Sequence, residues 1–171
     1  YGTLNMKFAL ALLASLALPA AATDVPRVGL DSFGTVRIGM TVDALGAALG
    51  VAVSVPTDPE EAACFEVDDP HHKGVSMMLA GGHVARVDVF EPGVQTVRGA
   101  RVGDSAERVR ALYGAQLVDS PHFYAGSSGG RYLTYWSGNH RFAVRFETES
   151  GKVARYYAGR LPEVEYVEGC Q

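Results

Sequence analysis

Carboxylates and imidazoles are densest in residues 66–74, where the sequence reads EVDDPHHKG. These are the side chains that hold divalent metals, so the stretch could support a metal-dependent hydrolase built on His71 and His72. Adjacent residues of a strand point to opposite faces, which works against both imidazoles reaching one ion. The Asp-Pro pair before a glycine is also an ordinary turn signal. We therefore favour a hairpin loop and assign no metal or other cofactor, with the metal-dependent hydrolase as the alternative.

The rest of the chain offers no catalytic motif. No serine or cysteine stands with a histidine and a carboxylate in a spacing typical of nucleophilic catalysis. The Gly/Ser-rich loop at 126–130 lacks both the Gly-x-Ser-x-Gly nucleophile elbow and the lysine of a phosphate-binding loop. We therefore expect a protein that is not an enzyme.

Aromatic side chains are the strongest sign of a binding surface, which we expect to be an aromatic face of the sheet. They cluster late in the chain, at Tyr132, Tyr135, Trp136, Phe142, Phe146, Tyr156, Tyr157 and Tyr166. Tyrosine and tryptophan favour protein interfaces because they bury a large area at little cost in rotamer entropy. The alternative is that these rings complete the core and cover the sheet. The candidate binding residues are Tyr132, Tyr135, Trp136, Phe123, Tyr124 and Tyr156.

The N-terminal segment has the pattern of a cleavable export signal. A single lysine precedes an unbroken apolar run at 8–18, which is shorter than the roughly 20 residues that span a bilayer. A proline and three alanines follow, as signal peptidase requires. We expect 1–22 to be the signal peptide, with Met6 as the expected start and 1–5 therefore set aside. The mature protein would then be periplasmic or secreted, with no membrane span.

The charge balance argues against a nucleic-acid partner. The chain has 15 basic and 19 acidic residues and a net charge of −4. Nucleic-acid binding needs a basic face that replaces the counterions of the phosphates. We expect a monomer whose partner is an unknown protein.

Cys64 and Cys170 are the only cysteines. In an oxidising compartment two such cysteines are expected to form a disulfide. The bond would close a loop on the order of 100 residues, for which chain-entropy arguments give roughly 4–5 kcal/mol, often less in practice. It would also fix the C-terminus to the first half of the chain. The alternative, two free thiols as nucleophile or metal ligands, lacks an accompanying cluster of ligands.

The sequence repeats itself at two places. Residues 37–50 (RIGMTVDALGAALG) align without a gap with 101–114 (RVGDSAERVRALYG), and GHVAR at 82–86 returns as GKVAR at 151–155. Two matches in the same order indicate a duplicated unit.

Each copy of the longer repeat predicts a short helix. Thr41 and Ser105 are N-cap residues whose hydroxyls can accept a backbone N–H of the first turn. Apolar residues then recur at spacings of three and four. Gly50 and Gly114 are expected to end the two helices in the left-handed conformation.

Segments of alternating polarity follow each helix and predict antiparallel strands. They lie at 63–67, 75–79, 84–90, 131–136, 142–147, 153–158 and 164–168. Gly81-Gly82 and Ser150-Gly151 stand where hairpin turns are needed. We therefore predict an α+β fold of two helix-plus-antiparallel-meander repeats, 23–94 and 95–171. Together they would form one compact domain, with the helices packed on one face of the sheet and the other face open.

This arrangement resembles a known tandem family. Each helix opens with Gly-[Met/Asp]-[Thr/Ser]-x-[Asp/Glu] and closes with [Leu/Tyr]-Gly, which is similar to the secreted β-lactamase-inhibitor proteins and the BamE-like outer-membrane assembly lipoproteins. The resemblance covers most of 31–167. Residues 92–96 and 165–170 are also similar to exported proteins of Gram-negative bacteria.

The resemblance implies a protein that binds another envelope or extracellular protein rather than one that catalyses. Two features depart from the family. No lipid-anchor cysteine follows the export signal, and Cys64 and Cys170 stand in different repeat units, whereas the inhibitors carry a disulfide within each repeat. A structural envelope protein is the remaining alternative.

Overall fold

The computed structural model describes residues 1–2, 25–124 and 129–170. Apart from its first two positions, the expected signal peptide lies outside the described residues. Within the part of the chain that the structure describes, no helix is long and apolar enough to cross a membrane.

The described chain alternates short helices with antiparallel strands. In chain order the elements are β1 (Ser32–Phe33), β2 (Val36–Arg37), α1 (Val42–Leu49), α2 (Pro59–Ala63), β3 (Cys64–Asp68), β4 (Val75–Ala80), β5 (His83–Val89), α3 (Ala106–Tyr113), β6 (Leu117–Pro121), β7 (Arg131–Trp136), β8 (Phe142–Glu149) and β9 (Lys152–Arg160). Short 3-10 turns occupy Gly114–Gln116 and Glu163–Glu165.

Strands β3 to β9 form one antiparallel sheet in the order β3-β4-β5-β9-β8-β7-β6. Two meanders, β3 to β5 and β6 to β9, meet where β5 pairs with β9. The prediction of a mixed helix-and-sheet protein with antiparallel strands is confirmed. The glycines expected at hairpin turns have the required positive φ, at Gly81, Gly82 and Gly151.

The two longer helices begin where the sequence predicts. The hydroxyl of Thr41 accepts the N–H of Ala44, and the hydroxyl of Ser105 accepts the N–H of Arg108. Helix α1 ends at Gly50 in the left-handed conformation, with φ 71° and ψ 25°. The matching prediction for Gly114 is wrong: its φ is 68° but its ψ is −157°. The backbone differs there because the chain continues directly into a 3-10 turn.

The sheet has a core face and a second face. The core face carries the alternate residues of each strand that belong to the main buried cluster, such as Met77, Phe146 and Tyr156. Leu45 of α1 and Val109 of α3 belong to the same cluster. The second face carries the residues between them, and these include ionisable side chains on the central strands.

The prediction of a C-terminal strand at 164–168 is wrong. The segment instead forms the 3-10 turn and an irregular run toward Cys170. Arg86 donates to the carbonyls of Glu163 and Tyr166, so those carbonyls accept from a side chain instead of a neighbouring strand. Strand β6 was not predicted because its sequence, LVDSP, contains residues that are rare in central strands. As an edge strand of the sheet it tolerates them.

Candidate functional site

The C-terminal segment, residues 161–170, lies across the second face of the sheet. Val164 is buried there with Ala143 and Tyr157. The disulfide between Cys64 and Cys170 ties the end of the segment to β3, with 5.3 Å between the two Cα atoms. The predicted pairing is thus confirmed, and it is compatible with an oxidising extracellular or periplasmic location.

Arg86 of β5 holds the middle of this segment. Its side chain is only 3% exposed. Nη1 donates to the carbonyl oxygens of Glu163 and Tyr166, both at 3.1 Å. Nε and Nη2 contact the two carboxylate oxygens of Asp88 at 2.9 and 2.8 Å. Burial raises the pKa of Asp88, and the charge of Arg86 acts against that shift. The guanidinium therefore balances a buried charge and anchors the chain above it.

Arg155 of β9 makes the corresponding contacts one strand away. Its Nε and Nη2 bind the two carboxylate oxygens of Glu147 at 2.8 and 2.9 Å, a bidentate pair. Nη2 also donates to the carbonyl of Val167 at 3.2 Å. Each arginine follows a β-bulge, because Ala85 and Ala154 are the residues that the strand register skips.

Glu147 joins this network to the aromatic loop. Its carboxylate accepts the hydroxyl of Tyr157 at 2.9 Å and lies 3.2 Å from Nε2 of His122. The ring of His122 stacks on that of Tyr132, with 4.4 Å between centroids. Because Phe123 and Tyr124 follow His122 directly, the start of their loop is fixed to the second face.

The candidate binding residues do not form one surface. Tyr156 is fully buried on the core face, where its hydroxyl donates to the carbonyl of Val94. Tyr135 is half-buried on the same face, beneath the guanidinium of Arg98. On the second face, Tyr132 is buried and Trp136 is half-buried. In this conformation Tyr132 and Tyr156 therefore cannot meet a partner, because the loop and the core cover them.

The two remaining candidates are open to solvent. Phe123 is 73% exposed and Tyr124 is 58% exposed, and their rings meet edge to face at 5.0 Å. They line a cleft of about 630 Å³ together with Tyr166, Val167, Glu168 and Gly169 of the C-terminal segment. The small residues Ala63, Cys64 and Ala80 line the rest. We call this feature the aromatic cleft.

The C-terminal side of the aromatic cleft adds a third exposed ring and an acid. Tyr166 is 39% exposed. The hydroxyl of Tyr124 donates to the carboxylate of Glu168, which links the loop to the C-terminal segment. The cleft thus combines three aromatic rings with a carboxylate, on a support held by the disulfide and two arginines.

The His71/His72 region is a hydrogen-bonded turn. Oδ1 of Asp69 accepts the backbone N–H groups of His71 and His72, and its Oδ2 lies 3.1 Å from Nδ1 of His72. Nε2 of His71 is 2.9 Å from the carbonyl of Leu49, at the end of α1. Among the described residues, no group of three or more His, Cys, Asp and Glu side chains could hold a metal ion. The imidazoles of His71 and His72 thus both have hydrogen-bond partners within the turn and at the end of α1.

Sequence reasoning missed the two arginines. The signal was present, because Arg86 and Arg155 are the only charged residues that GHVAR and GKVAR share at the same position. The missing information was that both side chains point to the face that the C-terminal segment covers.

The chain was compared with known proteins in three ways. No family model matches it, and neither curated proteins nor solved structures gave a match.

Proposed function

We propose that this protein is an exported, non-catalytic binding module that recognises another envelope or extracellular protein through the aromatic cleft. The observation that supports this proposal is the joint exposure of Phe123, Tyr124 and Tyr166 around one cleft. Large rings with few rotatable bonds gain contact area at low entropic cost, which is why they dominate binding hot spots. The expected location is the periplasm or the outside of the cell.

The support beneath the rings favours recognition. Binding surfaces are commonly loops that a rigid scaffold positions. Here His122 is stacked on Tyr132 and lies beside Glu147, while Arg86 holds the carbonyl of Tyr166. Both sides of the aromatic cleft are therefore attached to the central strands, which reduces the ordering cost on binding.

We also propose that the scaffold is a duplication, with repeat units at 23–94 and 95–171. Matched backbone contacts support it. The N–H of Gly39 donates to the carbonyl of Val84 at 2.7 Å, and that of Gly103 donates to the carbonyl of Val153 at 2.9 Å. In the reverse direction, the N–H of Val84 donates to the carbonyl of Met40, and the N–H of Val153 donates to the carbonyl of Asp104. Met40 and Asp104 are the residues that follow the two glycines. Such agreement is expected of copies of one ancestral unit.

The proposal includes the packing of both helices on the core face. Leu45 and Leu49 of α1 and Val109 and Tyr113 of α3 share one buried cluster with the strands. A repeat unit of helix plus meander would bury its apolar face in this way. The same arrangement is proposed from the resemblance to the β-lactamase-inhibitor and BamE-like proteins.

The binding proposal is tested by capture of envelope and extracellular proteins on the immobilised mature chain. The double variant Phe123→Ala/Tyr124→Ala should weaken binding of the captured partner by roughly 30-fold or more, since the loss of even one hot-spot aromatic costs about 2 kcal/mol. Phe90→Ala is the matched control, because Phe90 is 40% exposed and does not line the cleft. Unchanged capture by the double variant would rule out this cleft as the binding site.

A further inference from the structure

We infer that the outer edge of β3 binds an extended segment of the partner protein as an additional antiparallel strand, with basic side chains opposite Glu66 and Asp68. The inference rests on the proposed function and states how the partner's backbone is held beside the aromatic cleft. It is carried by the direction of the backbone groups of β3, by the contrast with the other edge of the sheet, and by the charge of the strand.

β3 is an edge strand of the sheet, and its inner side pairs with β4. The N–H of Gly81 donates to the carbonyl of Ala63, and the N–H of Asp69 donates to the carbonyl of Val75, both at 2.9 Å. Residues that bond to the neighbouring strand alternate along an antiparallel ladder. The odd-numbered residues of β3 therefore bond to β4.

The backbone groups of Glu66 and Asp68 consequently point away from the sheet. Both residues are exposed, and among the described residues no hydrogen bond reaches their N–H or carbonyl groups. A row of unpaired donors and acceptors at every second residue is what an added strand recognises. The outer edge of β3 therefore has the backbone chemistry of a strand-binding site.

The opposite edge of the sheet, β6, is poorly suited to the same contact. The N–H of His122 donates to the carbonyl of Gly130, so the alternation along β6 turns Asp119 and Pro121 outward. Pro121 has no N–H to offer, and proline is a common means of blocking an edge strand. Because β3 contains no proline, it is the edge that can accept a further strand.

The side chains of Glu66 and Asp68 make the edge of β3 negative. Neither forms a hydrogen bond or an ion pair among the described residues. Burial raises the pKa of Glu66, as does the charge of Asp88, and the opposing effects of Arg86 and Arg155 are each smaller than that of Asp88. Cross-strand pairs of opposite charge stabilise a sheet, so lysine or arginine is favoured on the added strand.

The basic residues near β3 are engaged elsewhere. Arg160 binds both carboxylate oxygens of Glu163 and donates to the carbonyl of Ala80, which faces β5 rather than β3. Lys73, in the hairpin that follows β3, pairs with Glu91. The charge of the edge is therefore left for a partner to balance.

A second copy of this chain fits the edge less well than a different protein. Two β3 strands that overlap antiparallel over their whole length would place Glu66 opposite the same residue of the other copy, and like charges in that position are destabilising. The edge also adjoins the aromatic cleft. Cys64 begins β3 and lines the cleft, and a Cβ on Gly169, another lining residue, would lie 3.0 Å from Oε1 of Glu66. A partner strand on β3 thus continues the surface proposed for binding.

The test uses the peptide acetyl-Thr-Lys-Val-Lys-Val-Thr-amide. In the antiparallel pairing its lysines lie opposite Asp68 and Glu66, and its first valine lies opposite Val67. Binding to the mature chain is followed by amide hydrogen exchange, measured by NMR. At saturation the amides of Glu66 and Asp68 should exchange about ten-fold more slowly or less, whereas those of Phe65 and Val67, already bonded to β4, should change little.

Methylation of single backbone nitrogens separates strand addition from simple charge attraction. The N–H of the second lysine points to Glu66, while that of the first valine points away from β3. N-methylation of the second lysine should weaken binding about ten-fold or more, and N-methylation of the first valine should change it less than about two-fold. The two methylated peptides carry the same charge. Replacement of both lysines by glutamate should weaken binding about five-fold or more.

Two variants of Glu66 locate the contact. Glu66→Gln keeps the outward N–H and removes the charge, so it should weaken the peptide several-fold. Glu66→Pro also removes the N–H, which β4 does not use, and should abolish protection at Asp68. The inference is overturned if the two N-methylated peptides bind equally well. It is also overturned if the amides of Glu66 and Asp68 stay unprotected up to the solubility limit of the peptide.

The outcome is separable from that of the proposed function. If partner capture is lost in Phe123→Ala/Tyr124→Ala while the peptide fails to protect β3, the binding module stands and the strand addition does not. If capture survives in the double variant, the proposed function fails whatever the peptide does.

Discussion

Arg86 and Arg155 occupy matching positions, each one residue after a β-bulge, and both donate to carbonyl groups of the C-terminal segment. Each also forms an ion pair on the second face, Arg86 with Asp88 and Arg155 with Glu147. The position of Tyr166 in the aromatic cleft is therefore set from two central strands. The aromatic cleft, which we propose as the binding surface, depends in this way on ion pairs beneath the C-terminal segment.

Loss of Arg86 should destabilise the fold strongly. Arg86→Met keeps most of the volume but leaves Asp88 buried without its partner, which costs about 3–5 kcal/mol. Urea denaturation measures the change in the free energy of unfolding. Arg86→Met/Asp88→Leu is the control and should recover part of the loss, because both charges are then gone. A single variant that loses less than about 1 kcal/mol would show that the pair does not hold the segment.

The Cys64–Cys170 disulfide should contribute a large share of the stability. Cys64→Ser/Cys170→Ser should lower the free energy of unfolding by about 2–5 kcal/mol, because the bond closes a long loop in the unfolded chain. Thermal unfolding measures the loss, and a reducing agent should lower the Tm of the native chain but not that of the variant. Intact-mass spectrometry without reductant should show one disulfide, and two free thiols would contradict the structure.

Alkaline conditions should destabilise the protein through its buried tyrosines. Burial raises the pKa of Tyr113 to about 12, and it also raises the pKa values of Tyr156 and Tyr157. In the unfolded chain all three ionise near pH 10. Their contribution is thus complete below about pH 10 and is lost as pH rises toward the folded pKa values, by about 1.4 kcal/mol per pH unit for each group.

This pH dependence is measured by urea denaturation at about pH 9 and about pH 11, with tyrosinate absorbance as a second signal. Tyr156→Phe is the control, because it removes one titrating group and should reduce the slope. A free energy of unfolding that stays constant across this range would contradict the burial of these hydroxyls.

The junction of the two meanders should not tolerate a side chain at Gly159. A Cβ there would lie 2.3 Å from the carbonyl oxygen of Ala85 and 2.8 Å from the Cα of Arg86. Gly159→Ala should therefore cost about 3 kcal/mol, since β5 and β9 would have to separate. Gly138→Ala is the control, because its Cβ would meet nothing within 4 Å. Equal stability of the two variants would contradict the close approach of β5 to β9.

The local elements of this fold follow from the sequence because their determinants are neighbours in the chain. The hydroxyls of Thr41 and Ser105 each accept a backbone N–H three residues ahead, in the first turn of the helix that they cap. Gly81-Gly82 supplies the positive φ values of a hairpin turn. The edge strand β6 escaped prediction because its polar residues and proline are tolerated only at a sheet edge, and the order of strands is not encoded locally.

The aromatic cleft could be anticipated only in part. Alternation along β7 indicates that Tyr132 and Tyr135 face opposite ways, but not which face becomes covered. That outcome depends on the C-terminal segment, whose path is set by Arg86, Arg155 and the disulfide. Phe123 and Tyr166 are brought to one cleft by contacts between distant parts of the chain, which no local pattern records.

The most direct test of the central claim places a photo-crosslinking residue, p-benzoylphenylalanine, at position 123 and, as the control, at position 90. Both native residues are exposed phenylalanines, and only Phe123 lines the aromatic cleft. Irradiation in the presence of the captured partner should give a covalent complex from position 123 and none from position 90. Crosslinking from position 90 alone, or equal yields from both, would contradict recognition through the aromatic cleft.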